Sequence, residues 1–271
     1  LTFERAKQMI ATMQHNVEII PIPAFQDNYI WLIHDGKAAI VVDPGDAGAV
    51  INILTRLALT LNAILITHHH HDHIGGVTTL CNEYPDCRVY APALEPYSFK
   101  HKPVRQNDVV TIAALDLQFT VLDVPGHTLG HVAYVTNPAN NAPWLFCGDV
   151  LFGAGCGRVF DNHFTEAYQS LQKLAALHPD TKIYCTHEYT CNNIQFALTL
   201  EPNNQALQAR HLVAQQLKKS HTPTLPSTMA LELATNPFLR CSNQEIMANL
   251  HALSETPESV FTLIRKLKDD Y

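Results

Sequence analysis

Five histidines and an aspartate crowd into Thr67-His68-His69-His70-His71-Asp72-His73-Ile74-Gly75-Gly76, and no other stretch restricts the possible folds as much. The segment follows Asn62-Ala63-Ile64-Leu65-Ile66, a short apolar run that reads as a buried strand. The glycine pair behind it permits a sharp turn before the next helical pattern. Neutral imidazoles and an ionised carboxylate at the C-terminal end of a strand make a borderline N/O ligand set, suited to zinc, iron or manganese. The pattern is not the His-Glu-x-x-His of helical zinc proteases, because residue 69 is His. On an extended backbone His68 and His70 point to one side and can pinch one ion. Asp72 and His73 are adjacent, so a turn must bring them together, and they then serve a second ion beside the first. His69 and His71 are expected to face away. The alternatives are a polar His-rich loop or a lone structural site, but a structural site is closed by four ligands, often including Cys, and this segment has none.

The rest of the chain supplies more such residues at strand ends. Runs 17–22, 29–33, 37–42, 88–91, 108–112, 117–124, 131–136, 144–147 and 182–185 read as strands, with Asp35-Gly36 a hairpin turn. Helices are expected over 47–59, 76–83 and 164–177, the first behind the stop and cap Asp43-Pro44-Gly45-Asp46. His127 follows one strand in Pro125-Gly126-His127, Asp149 follows another in Gly148-Asp149, and His187 follows Lys182–Cys185. In a sheet protein those ends gather in one cleft. After Glu188 no further strand pattern is found, and helices are expected over 191–200, 205–219, 244–253 and 257–268. A boundary is therefore placed at 188, with a catalytic part over 1–188 and a smaller helical part over 189–271. Leu1 to Asn16 reads as a short helix without the apolar core of a secretory signal.

With 271 residues the chain can bury a substantial core. A net charge of −7 argues against a nucleic-acid partner, and no apolar run is long enough for a membrane span. Seven cysteines without a C-x-x-C pair fit scattered reduced thiols in a cytoplasmic protein; Cys81 and Cys87 could pair, but nothing demands it.

Taken together, His68-x-His70-x-Asp72-His73, Gly-His127-Thr, Gly-Asp149 and Thr-His187 resemble the metallo-β-lactamase superfamily. Ile22–Trp31, Thr67–Gly76, Pro125–Val132, Cys147–Asp149, Gly155–Arg158, Thr186–Thr190, Asn236–Arg240 and Arg265–Asp269 narrow the resemblance to glyoxalase II, the hydroxyacylglutathione hydrolases. It covers nearly the whole chain from about residue 17. It implies an α/β fold, an αββα sandwich followed by a helical domain, and hydrolysis of the thioester S-D-lactoylglutathione to D-lactate and glutathione. It further implies two divalent metal ions, zinc first and iron or manganese as alternatives. His68, His70 and His127 would hold one ion, Asp72, His73 and His187 the other, and Asp149 would bridge them. His131 matches the pattern without being a ligand. Arg158, Tyr189, Arg265 and Lys268 would contact a small-molecule glutathione thioester. One departure is Arg158-Val159-Phe160 where a common form of the pattern has Lys-x-Tyr; Arg keeps the charge with different geometry, and Phe160 cannot donate a hydroxyl.

Two adjacent dications can lower the pKa of a shared water to about 7, so that hydroxide attacks the thioester carbonyl, with Asp72 orienting it. The leaving thiolate has a parent pKa of about 8.5 and needs no strong acid. A monomer is expected. The rivals are a lactone or β-lactam hydrolase, a one-iron glutathione persulfide dioxygenase and a non-catalytic metal protein.

Overall fold

The computed structural model describes residues 17–138 and 141–271; the helix expected over 1–16 lies outside them. A run of apolar residues buried on both sides of the backbone must be covered on two faces, and the first sheet shows how. It is ordered β1-β2-β3-β4-β5-β6, from β1 (Glu18–Ala24), β2 (Asn28–His34), β3 (Ala38–Val42), β4 (Thr60–Leu65), β5 (Arg88–Pro92) and β6 (Lys102–Val104). Side chains alternate across it. Trp31, Ile33, Ile40, Val42, Ala63 and Leu65 enter the core shared with the second sheet. Ile30, Leu32, Ala39, Val41 and Ile64 enter an outer core with Val50, Leu54, Val77 and Leu80 of α1 (Ala47–Leu57) and α3 (Val77–Glu83). Asp46 caps α1, accepting from Gly48 N at 2.8 Å and Ala49 N at 3.3 Å.

The second sheet is ordered β14-β13-β10-β9-β8-β7, from β7 (Val109–Ile112), β8 (Leu117–Asp123), β9 (Val132–Thr136), β10 (Trp144–Gly148), β13 (Lys182–Cys185) and β14 (Ser227–Thr228). A small hairpin, β11 (Leu151–Phe152) and β12 (Gly155–Cys156), projects after β10. Ala167, Leu171 and Leu174 of α4 (Phe164–Ala175) and Val260, Phe261 and Ile264 of α9 (Pro257–Asp270) complete the shared core. The layers are therefore α-β-β-α, as expected. The remaining helices are α5 (Thr190–Leu200), α6 (Gln205–Lys219), α7 (Met229–Thr235) and α8 (Gln244–Asn249).

Several short elements differ from the sequence reading, among them β6, β11 and β12, which were not expected. Residues 227–228, beyond the proposed boundary, form a strand that pairs antiparallel with β13. α7 was not expected either. Both are too short for a periodic signal and exist through their tertiary partners. Among the described residues no helix is long and apolar enough to cross a membrane, and all seven cysteines are free.

β8, β10 and β13 run in one direction within the second sheet, so their C-terminal ends share one edge. The first sheet meets them there: Thr67, just past β4, accepts from Val132 N at 3.0 Å, and Tyr29 N of β2 donates to Thr186 O at 2.7 Å.

Candidate metal centre

Three ring nitrogens converge first. His68 Nε2 lies 2.9 Å from His70 Nδ1, and His127 Nε2 lies 3.1 Å from the same atom. His68 and His70 leave β4 on extended backbone and do point to one side, as the spacing requires. The chain then closes into α2 (His71–Ile74), one helical turn, which brings Asp72 and His73 together. His73 Nε2 lies 3.5 Å from Asp72 Oδ2, and His187 Nε2 lies 3.5 Å from the same oxygen. Asp149 stands between the two groups. Its carboxylate is 3.4 Å from His73 Nε2, 3.3 Å from His187 Nε2 and 3.5 Å from His127 Nε2. All seven expected ligands thus meet in one cluster, and overlapping trios of them place their donor atoms within 4.8 Å of one another.

Three of the five imidazoles, His68, His127 and His187, have their tautomer set from behind. His127 Nδ1 donates to Arg158 O at 2.9 Å, and His187 Nδ1 to Asp27 Oδ1 at 2.8 Å. His73 Nδ1 lies 3.0 Å from Asp43 Oδ2. Thr67 Oγ1 donates to Asp43 Oδ2 at 2.8 Å, so it accepts from His68 Nδ1 at 3.1 Å. A ring that gives away its outer proton presents a lone pair inward, which is what a cation requires. Asn28 Nδ2 holds Asp72 Oδ2 at 2.9 Å. His131 stacks on His68 with centroids 4.6 Å apart and accepts from Asp149 N at 3.2 Å. His71 is exposed and His69 turns to buried Glu95, its Nδ1 2.9 Å from Oε2, so neither joins the cluster.

The electrostatics agree with a cation site. Burial pushes the pKa of His68 well down, helped by neighbouring His73 and His131, and burial also lowers His70 and His127. Burial opposes protonation of His73, yet Asp149 and Asp43 together hold it well above its ordinary value. Asp149 is likewise penalised by burial, but His73 and His187 keep it well below the carboxylate range. His73 Nε2 and Asp149 Oδ1 are buried without a hydrogen-bond partner among the described residues. Unsatisfied buried atoms of this kind are costly, and donor atoms that face one another across the cluster fit divalent ions.

Asp43 and Asp27 were not singled out from sequence. Asp43 lies at the end of β3, beside the parallel strand β4, and a carboxylate at a strand terminus was the signal already used for Asp149.

The expected substrate contacts are placed as follows. Tyr189 stacks on His187 with centroids 4.8 Å apart and parallel rings. Arg158 leaves its side chain 61% exposed and reaches Asp269 at 3.4 Å. Lys268 Nζ lies over the rings of Phe196 and Tyr271 at 5.0 and 4.8 Å. Arg265 is only 5% exposed and is turned into the protein, donating to Cys156 O and to Asp269 Oδ1 at 3.0 Å each. Phe160 packs 5.5 Å from the His127 ring, where a cavity of about 430 Å3 opens beside His70 and His127.

Fold and cluster together define the metallo-β-lactamase class. Residues 25–187 match the family model described as the metallo-beta-lactamase superfamily, and 188–271 the one described as hydroxyacylglutathione hydrolase C-terminus. The chain is 51% identical to the hydroxyacylglutathione hydrolase of Methylobacillus flagellatus, over 94% of this chain and 99% of that protein. It is 46% identical to that of Aeromonas hydrophila, over 93% and 98%. A metallo-beta-lactamase from Staphylococcus aureus superposes with a TM-score of 0.62 at 19% identity, over 94% of this chain and 72% of that one, a likeness of fold. The chain belongs to the hydroxyacylglutathione hydrolase family.

Proposed function

We propose that the chain is a metal-dependent thioester hydrolase that converts S-D-lactoylglutathione and water to D-lactate and glutathione, the detoxifying step for methylglyoxal. The observation that carries this reading is Asp149 standing between two ligand groups, within 3.5 Å of His127, His73 and His187. His68, His70 and His127 would hold one ion and Asp72, His73 and His187 a second, with Asp149 shared. Zinc suits this N/O set, with iron and manganese the alternatives. Two ions bound there supply Lewis acidity for a carbonyl and a nucleophile at neutral pH.

The chain's own residues then position the reactants. Asp72, tied to Asn28, offers a carboxylate oxygen to the attacking nucleophile and fixes its direction. Tyr189 continues the ring of His187 outward as a flat surface for the thiol carrier. Arg158 and Lys268 supply positive charge for its carboxylates, while Arg265 stands behind them. The departing thiolate leaves unprotonated, since its parent pKa of about 8.5 makes it a fair leaving group. In this reading residues up to 188 carry the metal chemistry and 189–271 one wall of the carrier's pocket, in a cytoplasmic monomer.

Metal analysis of purified protein beside a lactoylglutathione hydrolysis assay tests the proposal. Two ions per chain and turnover that disappears on chelation are expected. Turnover of a lactone or β-lactam without thioester hydrolysis, or one iron with oxygen consumption on glutathione persulfide, would replace it.

A further inference from the structure

The hairpin β11–β12 has only two paired positions, Leu151 with Cys156 and Phe152 with Gly155. So short a hairpin does not hold itself in water. Its turn is filled by side chains from the helical part. Asn193 Nδ2 donates to Gly153 O at 3.1 Å, and Asn236 Nδ2 to Gly155 O at 2.9 Å and Phe152 O at 3.2 Å. Ala154 N donates to Glu232 Oε2 at 2.8 Å. Arg265 Nη1 donates to Cys156 O at 3.0 Å. Glu232 is fully buried and is neutralised by Arg210 at 2.5 Å. These anchors are buried, so each bond is made where water cannot replace it.

The hairpin leads directly into the metal centre. Gly157, next after Cys156, lies so close to the chain at Asp149 that a Cβ there would sit 1.8 Å from Asp149 O. The following carbonyl, Arg158 O, takes the proton of His127 Nδ1. The second group is held differently: His187 leans on Asp27, in the turn between β1 and β2, and Asp72 on Asn28, the first residue of β2.

We propose that the helical part assembles the first metal group: its anchors on β11–β12 set the Arg158 carbonyl, which aims His127 at His68 and His70. Asn193, Glu232, Asn236 and Arg265 are positioning residues for that one ion. The inference rests on the two-ion reading above.

The test uses full-length, chelator-stripped protein titrated with cobalt(II), followed by visible absorption and metal analysis. Wild type should take up two ions. Asn193→Leu and Arg265→Met should each keep one at wild-type affinity and bind the other about 10- to 100-fold more weakly, the range typical of lost supporting contacts at metal ligands. The absorption of the remaining ion should match that of His127→Ala. Leu54→Ala, buried in the distant outer core, should lower the melting temperature and still bind both ions as wild type does. Two ions at wild-type affinity in both anchor variants would overturn the proposal. So would the same selective loss in Leu54→Ala, or a remaining-ion spectrum unlike that of His127→Ala. A wild type that takes up fewer than two ions would overturn the two-ion reading, and this inference with it.

Discussion

Among single residues, Asp43 affects the cluster without offering it a ligand. It is 2% exposed, accepts from Thr67 N and Oγ1, and faces His73 Nδ1. Asp43→Ala leaves those donors buried without a partner and lets the His73 ring turn. Metal affinity should fall about 10- to 100-fold, measured by competition with a chromophoric chelator; unchanged affinity would show that His73 needs no support. Asp149→Ala removes the shared carboxylate, and metal and activity should be lost together. Protons report on the same residues. His73 and His187 are raised above their ordinary value by Asp149 with Asp43 or Asp27, against the effect of burial. Both shifts favour the protonated rings in the metal-free protein, and an incoming ion must displace any proton held there. Affinity should rise as pH rises toward those shifted values, and calorimetry in two buffers of different ionisation enthalpy should detect proton release. No buffer dependence at pH 7 would contradict the raised pKa values. Past their strand end, His68, His70, Asp72 and His73 were legible by themselves, and His127, Asp149 and His187 were legible only as completing the family motif. Asp43 was not, because in Asp43-Pro44-Gly45-Asp46 a stop-and-cap role explains every residue; the cap proved to be Asp46 alone.

Among elements, what could be read was what has a period. β2, β3 and β4 alternate between two cores, and α1 and α9 carry apolar stripes. β6, β11, β12 and β14 have two or three residues each, too few for any pattern, and pairing alone defines them. The turn required after His70 is a helical turn whose seat is a close approach of backbones: a Cβ on Gly45 would lie 1.9 Å from Asp72 O. Two glycine substitutions separate this effect from ordinary strain. Gly36 has φ +88 and open space around its missing Cβ, so Gly36→Ala should cost only the left-handed backbone penalty, about 1–2 kcal/mol, with both ions retained. Gly45→Ala must push Asp72 away and should lose the second ion. Equal metal content in the two variants would show that α2 tolerates displacement.

For the molecule as a whole, the substrate is expected to lie across the join between the two parts. Lys268, half-buried, has its pKa lowered by burial and by Arg265; in the proposed reading it faces the carrier's carboxylates. Lys268→Met should lower kcat/KM about 3- to 10-fold, since a charge-assisted contact contributes roughly 1.5–3 kcal/mol and partial exposure reduces that. The loss should fall in KM, be screened by added salt, and vanish with a short thioester lacking the two carboxylates; an equal loss on both substrates would assign Lys268 to folding. Family motifs pointed to Arg265 in the same role, and only packing could reveal that its guanidinium is used inside the protein. Its bond to Cys156 spans 109 positions of sequence, which has a consequence for biosynthesis. A chain made from its N-terminus presents His68 through His187 to the cell well before residue 265 leaves the ribosome. Until then β11–β12 lacks its last anchor and Arg158 has no fixed place for its carbonyl. On the hairpin-anchoring reading, a nascent chain rich in exposed histidines is kept a poor ion trap by the order in which it is translated, and full metallation waits for the segment that also receives the substrate.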